Sequence, residues 1–435
     1  MNVGFVIEPA KAIGITLFFV YAMKGSLTRE MKGKYSGPFY IFFVYTIFIT
    51  LLNIPIWPED PSQVQGFFYS KWMRGPVQIF QVMIGLSIIV LILRSVRSIA
   101  DTELALRVTI YAMIAICLYG LYIWFAQRYG LPYNTINRAG ESGGKNIISA
   151  IVGGERVARA YSLTGEPKSL ASNAVLLIAL VFFSLNKWQG RYSVPKLTAV
   201  VAALGLVTLF LTYSTAGFVI LALVFFAATL SSVWLPPMRK SLPLQCSFFG
   251  LLILAAYFYY GNELAPMISE VFSSRVSERL GGEGLFTYAE ASMLSYFKDW
   301  PPHILFGVGL GGSAFYIRLY DIYSYSGNIA APRGLVGFIS DRGIIGLSLF
   351  LYAYASALKP IAKRARLHDE KAIIYARIYI FAIVALILIF TSARWYFQWF
   401  TIGILLASAQ LAHNDLKLHW VKNYRTNKNR FKIHR

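Results

Sequence analysis

Cysteine is rare in this 435-residue chain, and so is charge. Two cysteines cannot build a disulfide scaffold. Charged residues make up 14% of the sequence, against about 25% in an ordinary soluble domain. Acids are the minority even of that: 20 Asp and Glu stand against 41 Lys and Arg, a formal net charge of +21. There is no internal repeat, and no phosphate loop on a large soluble domain, which excludes a nucleotide-driven pump. No basic leader with a small-residue cleavage site opens the chain, so a cleavable signal peptide is not expected. What the chain has is apolar content, 57% of residues. That excludes disorder and turns the basic charge away from nucleic acid and toward a membrane.

A helix crosses the hydrocarbon core with about 20 predominantly apolar residues. Eleven stretches fit, near 5–23, 38–57, 76–93, 105–126, 169–186, 197–214, 216–235, 244–260, 335–358, 372–391 and 395–412. The expected fold is therefore all-α, a polytopic helix bundle with about 11 crossings, in a range of 10 to 12. The first stretch is the weakest, because Glu8 and Lys11 fall inside it. The connecting segments sort by charge into two sets that alternate along the chain. One set carries 24 basic and 6 acidic residues, the other 15 and 13. This is the positive-inside pattern. It puts +18 on the cytoplasmic side and about +2 outside. Cys117 and Cys246 lie within stretches and read as small apolar core residues.

The chain then divides into 1–260, with eight spans and a moderate outer loop at 127–168; a large outer loop at 261–334; three spans over 335–412; and a basic cytoplasmic tail at 413–435. Long ordered loops on a rigid scaffold tend to carry function. In the large loop, Leu285–Asp299 has the spacing of a surface helix, ended by Pro301 and Pro302. Gly307, Gly309 and Gly312 formally match a dinucleotide fingerprint, but no βαβ context surrounds them. They read instead as a turn that lets backbone segments approach closely.

Arginine is the sharper outer signal, because guanidinium holds phosphate oxygens with a planar fork. Arg275 and Arg279 share one helical face, and Arg318, Arg333, Arg342 and Arg394 follow. Arg128, Arg138, Arg156 and Arg159 stand in the middle loop. Pairing with nearby acids is the alternative for each, and it is weakest for Arg342 and Arg394 at the edges of apolar spans. Candidate acids and bases are Glu283, Glu290, Asp299, His303, Asp321 and Asp341. Asp341 beside Arg342 also reads as a plain ion pair. Tyr288 heads a group of outer aromatics that suit either an interfacial belt or sugar faces. No outer triplet has metal-ligand spacing, so no metal or cofactor is expected.

Three motifs, in order, carry a resemblance. Trp300-Pro-Pro-His-Ile-Leu-Phe-Gly-Val-Gly-Leu-Gly311 resembles the "hPLFGVGLG" run of the O-antigen polymerase and ligase superfamily. Ser340-Asp-Arg-Gly-Ile-Ile-Gly-Leu-Ser-Leu-Phe350 is similar to the segment that opens that family's next helix, and Leu211-Thr-Tyr-Ser-Thr-Ala-Gly217 to its short outer turn "LTxSRG". The resemblance implies a GT-C-like glycosyltransferase of the bacterial inner membrane with its active site facing the periplasm. Its substrate would be an undecaprenyl-diphosphate-linked oligosaccharide in the lipid bilayer, and a chain-length regulator protein would be a candidate partner. Arg333 stands ten residues before Gly343, where ligases of the family carry histidine, which favours the polymerase. Thr215 replaces the arginine of the short turn. The resemblance implies that Arg275, Arg279 or Arg318 replaces the missing phosphate contact. With the arginine-rich outer loop and the glycine run, the expected site has Arg275, Arg279, Arg318, Arg342 and Arg394 as diphosphate or sugar contacts with Tyr288, and Glu290, Asp341 and Arg333 as catalytic candidates. A ligase and a transporter of lipid-linked sugars are the rival readings.

Overall fold

A computed structural model describes residues 16–21, 30–58, 70–133, 149–152, 155–162, 167–184, 195–238, 250, 288–319, 332, 334–367, 369–392 and 395–433. In chain order the helices are α1 (Ser36–Asn53), α2 (Lys71–Ser95), α3 (Ile99–Tyr129), α4 (Pro167–Ser184), α5 (Pro195–Leu211), α6 (Thr215–Trp234), α7 (Tyr288–Asp299), α8 (Pro302–Phe306), α9 (Ser313–Leu319), α10 (Gly334–Ala365), α11 (Glu370–Ser392) and α12 (Trp395–Ile433). Five of them, α1, α2, α3, α10 and α11, are long and apolar enough to cross a membrane, and α4, α5 and α6 supply shorter apolar stretches. The expected spans over these segments are helical. The stretch at 5–23 is helical over 16–21, and nearly all of 244–260 lies outside the described residues.

Three details differ from the expectation. The middle loop is not wholly irregular or helical: β1 (Ser149–Val152) and β2 (Glu155–Ala158) pair antiparallel, with Val152 opposite Glu155. In the sequence a Gly-Gly dipeptide separates the two strands. Pro301 and Pro302 do end α7, but Pro302 also opens α8, because proline's fixed φ and missing N–H suit a first helical turn. The helix over the last expected span continues beyond residue 412. α12 runs without interruption from Trp395 to Ile433, through polar helix formers that continue the apolar half.

α1 shows how such a helix is built. One face, Phe39, Phe42, Phe43, Thr46, Ile49, Thr50 and Asn53, is buried. The other, with Ile41, Val44, Phe48 and Leu51, is exposed and equally apolar, as for a helix facing lipid. Its buried polar side chains bond to their own helix. Thr46 Oγ1, Thr50 Oγ1 and Asn53 Nδ2 donate to the carbonyls of Phe42, Thr46 and Ile49 at 2.8, 2.7 and 2.8 Å. Where no water is at hand, local pairing of this kind removes the desolvation penalty.

α10 is the hub. It packs against α1, α11 and α12, while α2 packs along α12. α3, α4, α5 and α6 form the second group, joined to the hub through α11. Phe39, Phe42, Phe338, Phe350 and Tyr354 fill the seam between α1 and α10. The Tyr354 hydroxyl donates to Ala382 O on α11 at 2.6 Å. α7, α8 and α9 make a small layer at the end of α1 that carries Asn53, with a separate core of Trp57, Met293, Tyr296, Phe297, Val308 and Phe315.

At the opposite end, the buried Arg364 guanidinium donates to both carboxylate oxygens of Asp369, at 2.8 and 2.7 Å. Its Nε lies 3.7 Å from Asp415 of α12. Those hydrogen bonds hold the Asp369 carboxyl below the usual carboxylate range. A carboxyl lowered by folding contributes its full stability above the unfolded value, near about 4, and loses it as pH falls through the folded one. Because Asp369 is 42% exposed, solvent screens the pair. Arg364→Met should therefore lower the unfolding free energy by only about 1–2 kcal/mol. SDS titration measures this, and the acid-induced loss of stability below about pH 4 should be smaller in the variant than in the wild type.

Candidate functional site

Two chain segments meet at the end of α1 that carries Asn53. α10 is interrupted at Gly343, whose φ of 69° and ψ of 179° cannot belong to a helix. A broken helix cannot carry its i→i+4 hydrogen bonds across the break, so carbonyls before it lose their partners. The glycine-rich run supplies new ones. Val308 N–H donates to Ser340 O at 2.8 Å and Gly309 N–H to Asp341 O at 3.0 Å.

Only glycine fits on both sides of this contact. A Cβ on Gly307 would lie 2.6 Å from backbone atoms of Arg342, and one on Gly343 would lie 2.1 Å from Leu305 O. Both residues also have positive φ, which side chains resist. The expected close backbone approach at the glycine run is thus what the structure contains, with α10 as the partner.

α1 and the residues after it hold the run from the other side. Tyr45 Oη lies 2.8 Å from Phe306 O and 3.1 Å from Arg342 O, reaching both segments at once. Thr50 Oγ1 accepts from Leu310 N–H at 3.0 Å. Trp57 Nε1–H donates to Val308 O at 2.6 Å, and its ring stacks on Phe315.

The charged groups cluster around this joint. Ser313 Oγ donates to Asp341 Oδ1 at 3.3 Å, and Gly311 N–H also bonds that carboxylate. Arg342 is 8% exposed. Its guanidinium lies over Phe338 at 4.5 Å and faces Phe42 at 5.9 Å. Its Nε meets no hydrogen-bond acceptor, and no carboxylate oxygen among the described residues lies within ion-pair distance of it. The plain ion pair of Asp341 with Arg342 is therefore not formed; the two charges interact only across a longer gap. Arg74, from the first turn of α2, stands over Phe315 at 5.8 Å and adds its charge to the surroundings of Asp341.

An aromatic group flanks the joint. Tyr296 Oη and His303 Nδ1 share a hydrogen bond, and Tyr316 and Trp300 lie against the same imidazole. Burial holds the His303 imidazole below its usual range and raises the Tyr316 hydroxyl. His303 is thus a ring packed in an aromatic group.

The structure unites some candidates and separates others. Asp341 and Arg342 belong to the joint. Glu290 sits in the first turn of α7, and no hydrogen bond or ion pair among the described residues links it to them. Tyr288 and Arg318 have their backbones in α7 and α9, with side chains outside the described residues. Arg275, Arg279, Arg333 and Arg394 also lie outside them. Arg159 serves the fold. Its Nε and guanidinium end donate to Thr212 O and Tyr213 O at 2.9 and 3.3 Å, satisfying carbonyls at the end of α5. Arg74, Tyr45 and Trp57 join the site without having stood out in the sequence. Arg74 stands just before the apolar stretch at 76–93, the same sign that marks Arg342 and Arg394. No family model matches the chain, and no curated protein does.

If Gly307 and Gly343 must both be glycine, then Gly343→Ala should cost at least about 2 kcal/mol of stability through strain and lost docking. The neighbouring Ile344→Ala, at a side chain 42% exposed, should cost about 0.5 kcal/mol or less. Equal, small losses in detergent unfolding would show that the joint is not tightly packed.

Proposed function

We propose that the protein is a glycan polymerase of the GT-C-like type, working at the outer end of the bundle in a bacterial inner membrane. The donor is a growing glycan on undecaprenyl diphosphate. The acceptor is a sugar hydroxyl of an incoming lipid-linked repeat unit. The observation that carries this reading is Arg342. A buried guanidinium whose Nε has no acceptor is costly, and that cost is offset where an anionic ligand supplies the acceptor. A neighbouring carboxylate, Asp341, and a second cation, Arg74, stand at the same joint. The resemblance at 300–311 and 340–350 falls on the two segments that meet there.

The chemistry follows from those groups. The bond between the anomeric carbon and the diphosphate oxygen breaks, and a bond from the acceptor oxygen to that carbon forms. The acceptor proton passes to a carboxylate, for which we take Asp341, the acid at the joint, over Glu290. The bond-breaking electron pair leaves on polyprenyl diphosphate. Negative charge therefore grows on the leaving group, and a preorganised guanidinium lowers the barrier most where charge develops. The exposed Trp300 ring suits the apolar side of a sugar ring.

Purified protein supplied with lipid-linked repeat units should lengthen them into a ladder on a gel. Arg342→Ala should reduce the rate by about 10²–10³ with helicity unchanged, and Arg342→Lys should fall between. A wild-type ladder from Arg342→Ala would remove Arg342 from the reaction. Transport of the units without any joining would favour the transporter.

A further inference from the structure

At the end of the bundle away from the joint, a cavity of about 200 Å³ opens between the start of α1, the end of α2 and the middle of α12. α1 has 18 residues, which at 1.5 Å per residue separates the two places by roughly 27 Å. The cavity cannot be part of the outer site. Leu93 and Leu406 give it an apolar wall, and Lys34, Tyr35, Gln410, His413 and Asn414 give it donors. Gln410 and Asn414 are four apart on α12 and so share its face.

The electrostatics favour an anion. Lys34 and Lys417 both act on the His413 imidazole, which burial first and these two charges second hold below the usual histidine range. Glu30 also lines the cavity, but its carboxylate is already engaged by Arg94 Nε at 3.3 Å. This end carries basic connecting segments, among them Lys32, Lys34, Arg94 and Arg97. Basic pockets between membrane helices, on the side bearing positive charge, suit lipid headgroups. The volume is below the about 300–1,000 Å³ of sites for larger ligands, which excludes a nucleotide or a glycan and leaves room for one phosphate with its glycerol.

We propose that this cavity binds a phosphate monoanion, carried by the headgroup of an anionic phospholipid whose acyl chains run along Leu93 and Leu406. Free inorganic phosphate is the other source of the same chemistry.

The test uses the full-length protein in phosphatidylcholine nanodiscs containing phosphatidylglycerol, with bound lipid read by native mass spectrometry. Phosphatidylglycerol should be retained at least tenfold over phosphatidylcholine, and the preference should vanish in Lys34→Gln/Lys417→Gln. Lys34→Arg should keep it, which separates a lost charge from a lost fold. Added inorganic phosphate should displace the lipid. If inorganic phosphate binds wild type and not the double variant while phosphatidylglycerol shows no preference, the anion site stands and its source is free phosphate. Equal retention of the two lipids with no phosphate binding overturns the proposal, as does wild-type retention by the double variant.

Discussion

The interruption of α10 at Gly343 is the constraint on which this end of the molecule, where α1, α8 and α10 meet, depends. In an apolar setting, a carbonyl that loses its helical partner costs several kcal/mol unless another donor reaches it. Ser340 O and Asp341 O find theirs in Val308 and Gly309. That requirement draws the glycine run onto the broken helix and sets the direction of α8 and α9 behind it. Tyr45, Thr50 and Trp57 then make the joint a three-way contact between α1, the run and α10. An interrupted helix in an apolar setting is tolerated where protein covers the exposed backbone, and here the cover is a glycine-rich segment.

The same interruption gives Asp341 and Arg342 their setting. They precede the break, so they stand at the rim of the bundle while the rest of α10 runs through it. Arg342 is held by two phenyl faces in place of a carboxylate. Aromatic faces stabilise a guanidinium by about 0.5–2 kcal/mol, far less than a buried ion pair with full hydrogen bonding. Among the described residues, no carboxylate lies within ion-pair distance of it. Arg364, at the other end, shows the contrasting solution: it is forked onto Asp369 and joins α10 to the start of α11. One arginine has its charge committed to the fold and the other does not.

Much of the helical frame is legible in the sequence because period and length carry it, as in α1, α2 and α3. Asp341 and Arg342 can be found because ionisable residues beside an apolar span stand out. The glycines point to close approach, though not to what approaches. Tyr45, Thr50 and Trp57 cannot be tied to the run, because 250 or more residues separate the partners and nothing local marks the pairing. The hairpin at Ser149–Ala158 does leave a trace in its Gly-Gly dipeptide between short β-prone runs, overshadowed by the strength of the helical signal. α12 outruns its expected end because apolar content marks a span, and a helix can continue well past the membrane on polar residues.

Residues 308 and 309 lie in a loop by sequence, yet the joint at this end of the molecule rests on their bonds to the broken helix. Amide hydrogen exchange on the full-length protein addresses this directly. Val308 and Gly309 should exchange as slowly as the helical amides of α10, and Gly343→Ala should speed both by at least tenfold, about 1.4 kcal/mol. Exchange at Val308 and Gly309 at the rate of an unstructured peptide in the wild type would contradict it.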